Sequence, residues 1–139
     1  MAHEPFTVEV LTPEGAVFKD EVEFISTRTS TGSIGLYAKH QPLLGQLVPT
    51  ELRLYRSETE IVRFAQGEGY VQVDGSGNTL LLVEEAVAPG DLDVALLREK
   101  LATAERELEV AETGPEAARV AGLDMRRYEA FLALAGCAP

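Results

Sequence analysis

Two imidazoles, one thiol and an excess of carboxylates are the groups in this chain with chemistry to offer. His40 lies in the most patterned stretch, Gly32–Leu47 (GSIGLYAKHQPLLGQL), two residues before Pro42. An imidazole works as a general base or a metal ligand only beside companions that orient it. His3 is the other imidazole, and nothing in the spacing marks the two as neighbours. Cys137 stands two residues from the end, in a tail where an activated nucleophile is not expected. No HExxH, CxxC or GxxxxGKS/T pattern occurs, so zinc-hydrolase, dithiol and P-loop chemistry have no anchor. Gly67-Glu68-Gly69 is a fragment of a dinucleotide loop, but it precedes a strand-like segment and not a helix. Glu84-Glu85 falls at a strand end and reads as solvated charge. The chain is therefore expected to be no enzyme, with no metal and no cofactor of its own. His40, in a Gly/Pro corner, reads either as a ring that fixes the turn by bonding a backbone carbonyl or as a contact with a partner.

The elements that would position these groups change character along the chain. Alternating or β-rich runs fill residues 1–88: Thr7–Leu11, Val22–Thr29, Glu51–Arg56, Ile61–Gln66, Tyr70–Asp74 and Thr79–Glu84. In Glu51–Arg56, Leu52 and Leu54 share one face, with Glu51, Arg53 and Tyr55 on the other. Thr12-Pro13-Glu14-Gly15 and Asp74-Gly75-Ser76-Gly77-Asn78 supply turn chemistry between strands. About ten short strands without intervening helices predict an antiparallel β-sandwich. Within Gly32–Leu47, Pro42 fixes a dihedral, and Leu43, Leu44 and Leu47 are expected to anchor a stiff corner in the core.

After Pro89-Gly90 the period becomes helical, with Asp91 as the expected N-cap. Leu97, Leu101, Ala104, Leu108 and Ala111 make one stripe. Gly114-Pro115 should stop that helix. A second follows between Glu116 and Ala135, with Met125, Tyr128, Leu132 and Ala135 as its stripe and a firm part starting at Asp124. The predicted layout is a sandwich over 1–88 and a two-helix hairpin over 89–139. Its narrow, alanine-rich stripes make the hairpin the less stable half.

The charge balance narrows the partners. Asp plus Glu total 23 against 12 Lys plus Arg, a net charge of −11. Nucleic acid and anionic lipid would both be repelled. The apolar share of 45% is that of a folded globule. A single cysteine fits a reducing compartment, MAHEPFTVEV carries no secretory pattern, and no apolar run nears the roughly 20 residues of a membrane helix.

Gly32-Ser33-Ile34-Gly35-Leu36 followed by His40-Gln41-Pro42-Leu43-Leu44 resembles the Gly-to-His loop of the F-type ATP synthase epsilon subunit. Phe6–Pro13 resembles that family's first strand and turn, Ala65–Val73 its Gly-Gly-aromatic segment, and Asp91-Leu92-Asp93 the entrance to its first C-terminal helix. The resemblance implies a non-catalytic rotor part at the foot of the central stalk. Its partners would be the gamma subunit, the c-ring loops and, through the C-terminal helices, the catalytic alpha/beta hexamer. Its place would be the cytoplasmic face of a bacterial membrane, as a peripheral protein with no insertion. Thr31, Gly32, Ser33 and His40 become the expected partner contacts, and Arg119, Arg126 and Arg127 the regulatory basic residues.

Three departures modify that expectation. Ser33 stands where many members carry an acid. The family's ATP-binding pattern at the first helix is met by Leu92 and Asp93, but Leu96 takes the arginine position. Arg98 comes two residues late, about 200° round a helix, so ATP binding is expected to be weak or absent. Arg119, Arg126 and Arg127 are matched by Glu116, Asp124 and Glu129, so inhibition by charge attraction should be weak. The rival readings are a free-standing nucleotide-sensing or protein-interaction module and a small hydrolase built on His40.

Overall fold

The computed structural model describes residues 3–110 and 114–136. It divides into two compact units, Met1–Ala88 and Pro89–Pro139. The first holds ten strands: β1 Phe6–Thr12, β2 Gly15–Val22, β3 Phe24–Thr29, β4 Gly32–Leu36, β5 Leu43–Leu47, β6 Thr50–Tyr55, β7 Ile61–Gln66, β8 Gly69–Val73, β9 Thr79–Val83 and β10 Ala86–Val87. Their order is β10-β7-β6-β3-β5-β8-β9-β1-β2, with β4 on β3. Strand β3 is the junction, pairing with β4, β5 and β6.

The pairing is antiparallel with one exception that sequence reading did not foresee. Strands β1 and β9 run parallel, from Val8↔Thr79 to Leu11↔Leu82. Parallel neighbours need a long connection, and here the whole of β2 to β8 provides it. The expected single strand Val22–Thr29 is also two. The chain leaves β1 at Val22, and the Glu23 amide donates to Tyr55 O (2.7 Å) as β3 takes up β6. Strand β2 escaped notice because only Phe18 and Val22 are buried in it, a spacing of four that hides the period of two.

Alternation does describe the core. Val8, Val10, Val22, Ile25, Leu36, Leu52, Leu54, Val71 and Leu81 are fully buried, each contributing about 1.5–3 kcal/mol by leaving water. The β5 leucines do not all join them. Leu47 is buried and Leu43 half-buried, but Leu44 lies on the opposite face at 72% exposure, because successive side chains of a strand point apart. The core also encloses a polar knot. Thr27 Oγ1 donates to Gln66 Oε1 (2.5 Å), and Gln66 Nε2 donates to Val48 O and Gly67 O, both at 3.0 Å. With its donors and acceptor engaged, Gln66 ties β3, β7 and the β5–β6 link at little desolvation cost. Between β8 and β9 the approach is close at Gly69, where a Cβ would lie 1.9 Å from Leu82 O.

In the second unit a single 3-10 turn, Pro89–Asp91, precedes α1 Val94–Glu109 and α2 Pro115–Leu134. Asp93, not Asp91, is the N-cap. Its extended backbone lets Oδ1 accept from the Leu96 amide (3.1 Å), while Asp91 is used up in the preceding turn. Leu97, Leu101 and Ala104 are buried as expected, Leu108 is exposed, and Ala111 lies outside the described residues. Helix α2 starts nine residues before Asp124, because Pro115 stands at its first position, where no amide is needed. Gly122 is carried inside it. Ala121, Arg127, Phe131 and Leu132 are its buried residues; Met125, Tyr128 and Ala135 are only half-buried.

Candidate functional site

The β3–β4 turn is stiffened by hydroxyls. Thr29 Oγ1 donates to Gly32 O (3.0 Å) and accepts from the Thr31 amide (3.3 Å) and the Thr31 hydroxyl (3.0 Å). Gly32 adopts φ +135°, a conformation that an L side chain resists. The Ser30 amide donates to Gln46 O (2.9 Å), fastening the turn to β5. Thr31, Gly32 and Ser33 are all exposed, a firm and uncharged tip.

His40 belongs to a different place. It lies beyond the far end of β4, where Leu36 pairs with Ile25, and a Cβ on Gly77 in the β8–β9 turn would meet the Lys39 backbone at 3.2 Å. Strand β4 carries the chain roughly 13 Å from Gly32 to Leu36, and His40 follows four residues later. The structure thus brings Thr31, Gly32 and Ser33 together and leaves His40 apart. The imidazole is half-buried, and its Nδ1–H donates to Gln41 O (2.7 Å). That bond fixes the ring on its own turn. No carboxylate, hydroxyl or thiol among the described residues hydrogen-bonds it, so a relay of the hydrolase kind has no second member. Cys137 is outside the described residues.

A surface missed by sequence reading crosses the outer face of the sandwich. Gln46 pairs with Tyr70, Tyr70 with Leu82, Leu82 with Leu11 and Leu11 with Ala16. This row of five holds no carboxylate, amine, guanidinium or imidazole. Leu44, in the adjoining row, adds to it; charge returns at Glu9 and Lys19 on that side and at Glu68 and Glu84 on the other. Tyr70 is 54% exposed and Leu82 46%. Large apolar side chains contiguous on a surface mark a place for another protein. The signal was present in the sequence as Tyr70 and Leu82, each placed out of phase with its buried neighbours.

The three hairpin arginines differ in their surroundings. Arg119 donates from Nε and Nη2 to the Glu116 carboxylate (3.1 and 2.6 Å). That hydrogen-bonded pair raises the Arg119 pKa and lowers that of Glu116. Arg127 is buried, with Nη2 2.9 Å from Asp124 Oδ1 and its guanidinium over the Tyr128 ring. Asp124, three residues earlier, lies on the same face of α2 and supplies the counter-charge. Arg126 remains as an exposed cation with no partner among the described residues.

Leu92, Asp93 and Arg98 do not converge. Leu92 is half-buried before the helix, Asp93 is committed to the cap, and Arg98 is exposed on α1. The hollow between α1 and α2, about 180 Å³, is lined instead by Glu99, Glu107, Asp124, Lys100, Thr103 and Tyr128 among others. Three carboxylates against one lysine make a poor seat for phosphate. Among the described residues no group of three or more His, Cys, Asp or Glu is arranged for a metal, and no helix is long and apolar enough to cross a membrane.

Residues 5–89 match the family model described as the beta-sandwich domain of the ATP synthase Delta/Epsilon chain. The ATP synthase epsilon chain of Persephonella marina is 39% identical over 108 residues, 78% of this chain and 79% of that one. The one from Halalkalibacterium halodurans is 33% identical over 129 residues, 93% of this chain and 96% of that one. The fold is also that of a chain in the Euglena gracilis mitochondrial ATP synthase, with TM-score 0.75 at 18% identity, covering 96% of this chain and 82% of that one. With the family model spanning most of the chain and relatives matching nearly its full length, the protein belongs to the ATP synthase epsilon-chain family.

Proposed function

We propose that this epsilon chain is a non-catalytic rotor subunit of a proton-translocating F-type ATP synthase, linking the gamma subunit to the c ring. The observation that carries the reading is the uncharged row Gln46, Tyr70, Leu82 and Leu11 on a chain of net charge −11. A surface so depleted of charge suits a lasting interface with a neighbouring subunit, and gamma is that neighbour here. The Thr31-Gly32-Ser33 tip, closed by hydroxyl bonds, is the contact with the c-ring loops, where stiffness transmits torque. His40 holds the corner beyond β4.

In this reading the protein is peripheral on the cytoplasmic face of a bacterial membrane and carries no catalytic group. ATP binds weakly or not at all, since Asp93 is spent on its cap and Leu96 replaces the arginine. The C-terminal helices meet the catalytic hexamer with little basic surface, so they restrain ATP hydrolysis only weakly. Tagged chain expressed in its own cells should recover gamma and the catalytic subunits from membranes in mild detergent. Tyr70→Glu with Leu82→Glu, both outward-facing, should abolish that recovery without unfolding the chain. Recovery of neither subunit by the unaltered chain overturns the proposal.

A further inference from the structure

On the sandwich, the start of β3 and the ends of β4 and β6 frame a hollow of about 200 Å³. Its walls include Phe24, Tyr37, Tyr55, Glu23, Glu58 and His3. The three rings are contiguous: Phe24 lies 4.5 Å from Tyr37 and 5.4 Å from Tyr55, centre to centre. Gly35 makes room for them, since a Cβ there would sit 2.7 Å from Phe24 Cζ. Tyr37 is 49% exposed, so its ring is accessible.

The second feature is Glu23. Its amide is bound to Tyr55 O, which fixes the residue at the wall. Its side chain is half-buried and has no hydrogen-bond or ionic partner among the described residues. A carboxylate partly withdrawn from water normally finds a counter-charge. No lysine or arginine lines the hollow. Aromatic faces beside an unmatched carboxylate are the arrangement that selects a cation carrying apolar surface. Inorganic cations, tightly hydrated, gain little from aromatic walls, and anions are opposed by the Glu23 carboxylate.

We propose that this hollow binds an organic ammonium group, with Phe24, Tyr37 and Tyr55 supplying the aromatic faces and Glu23 the charge. The hollow has space equivalent to about six waters, enough for a quaternary ammonium or the end of a lysine side chain. A small amine and a lysine of a neighbouring protein present the same chemistry. The site is independent of the stalk role: it involves neither the Gln46–Leu11 row nor the Thr31–Ser33 tip.

The test is an NMR titration of the full chain at pH 8, with sodium chloride adjusted to hold ionic strength constant. Tetramethylammonium is one probe, N-acetyl-lysine methylamide another, and tert-butanol the neutral isostere. The expected result is saturable movement of the Phe24, Tyr37 and Tyr55 ring signals with tetramethylammonium, at millimolar affinity, and none with tert-butanol. Response to the lysine probe as well assigns the site to side chains; response to tetramethylammonium alone assigns it to small quaternary amines. Tyr37→Ala should weaken binding about fivefold or more. Glu23→Gln, which keeps the backbone bond to Tyr55, should weaken it about threefold. Equal response to tert-butanol, no response to either cation, or unchanged affinity in both variants overturns the proposal.

Discussion

The sandwich core is built from large apolar side chains brought together from strands distant in sequence, with Val8, Ile25, Leu52, Val71 and Leu81 all at 0% exposure. The seam of the hairpin is thinner. Helix α1 buries Leu97, Leu101 and Ala104, and α2 buries Ala121, Phe131 and Leu132 together with a charged residue, Arg127. Two of those six apolar side chains are alanines, which bring little area, and burying a guanidinium beside Asp124 offsets part of what the others contribute. The same chain therefore makes one unit that resists deformation and another whose packing can be lost at lower cost. Under the proposed rotor role, that division would leave the sandwich as the stiff half and the helices as the half easier to rearrange.

The sharpest way to break the stiff half is Gly69→Ala. The new Cβ would sit 1.9 Å from Leu82 O and 2.8 Å from Val83 Cα, both backbone atoms that cannot swing aside. Strands β8 and β9 would have to part, at a cost of more than about 4 kcal/mol. The expected outcome is a chain that is insoluble or has no cooperative thermal transition. A melting curve like that of the unaltered protein would mean that the β8–β9 approach is looser than the geometry states.

How much of this was legible beforehand follows the same division. Leu52 and Leu54 alternate with polar neighbours, so β6 and its buried face were readable from the residues alone. Strand β2 was not, because Lys19, Asp20 and Glu21 interrupt its pattern, and the parallel β1–β9 pair was not, because register between distant segments leaves no local trace. In the hairpin, Phe131 was missed beside Leu132, since a stripe drawn through Met125 and Tyr128 is rotated from the face that packs. The Thr31–Ser33 tip was visible through its glycine, but its separation from His40 depends on β4 running as a strand between them. The Gln46–Tyr70–Leu82–Leu11 row joins four strands and exists only in the folded sheet.

Phe131→Ala tests the thin half. Removing a fully buried ring costs about 3–5 kcal/mol, a large part of what a two-helix unit can hold. Helical circular dichroism at 222 nm should fall at a temperature where the amide signals of β1, β8 and β9 are unchanged. Simultaneous loss of strand signals would show that the units are one cooperative block. Asp93→Ala should cost about 1 kcal/mol through the lost cap on Leu96 N, and Asp93→Asn much less, since asparagine caps equally well. Helix melting with the two variants reads this directly. Equal destabilisation by both would assign Asp93 a role that depends on its charge.

The smallest effect separates the units by the origin of their electrostatics. Asp74 in the β8–β9 turn accepts from the Ser76 hydroxyl and amide (both 2.8 Å) and the Asn78 amide (3.1 Å), and its pKa is lowered chiefly by that hydroxyl. Glu116 in the first turn of α2 is lowered by the Arg119 guanidinium. A carboxyl whose folded pKa lies below its unfolded value stabilises fully above the unfolded value, near 4, and loses that contribution as pH falls through the folded one. Both contributions are thus complete at pH 7 and disappear in acid. Carboxyl carbon titration should place both midpoints below those of unstructured Asp and Glu. In 1 M salt the Glu116 midpoint should rise, because an exposed ion pair is screened over about 3 Å. Asp74 should hold its value, because neutral donors at hydrogen-bond distance set it. Movement of both midpoints would mean that the turn, like the helix, relies on net charge.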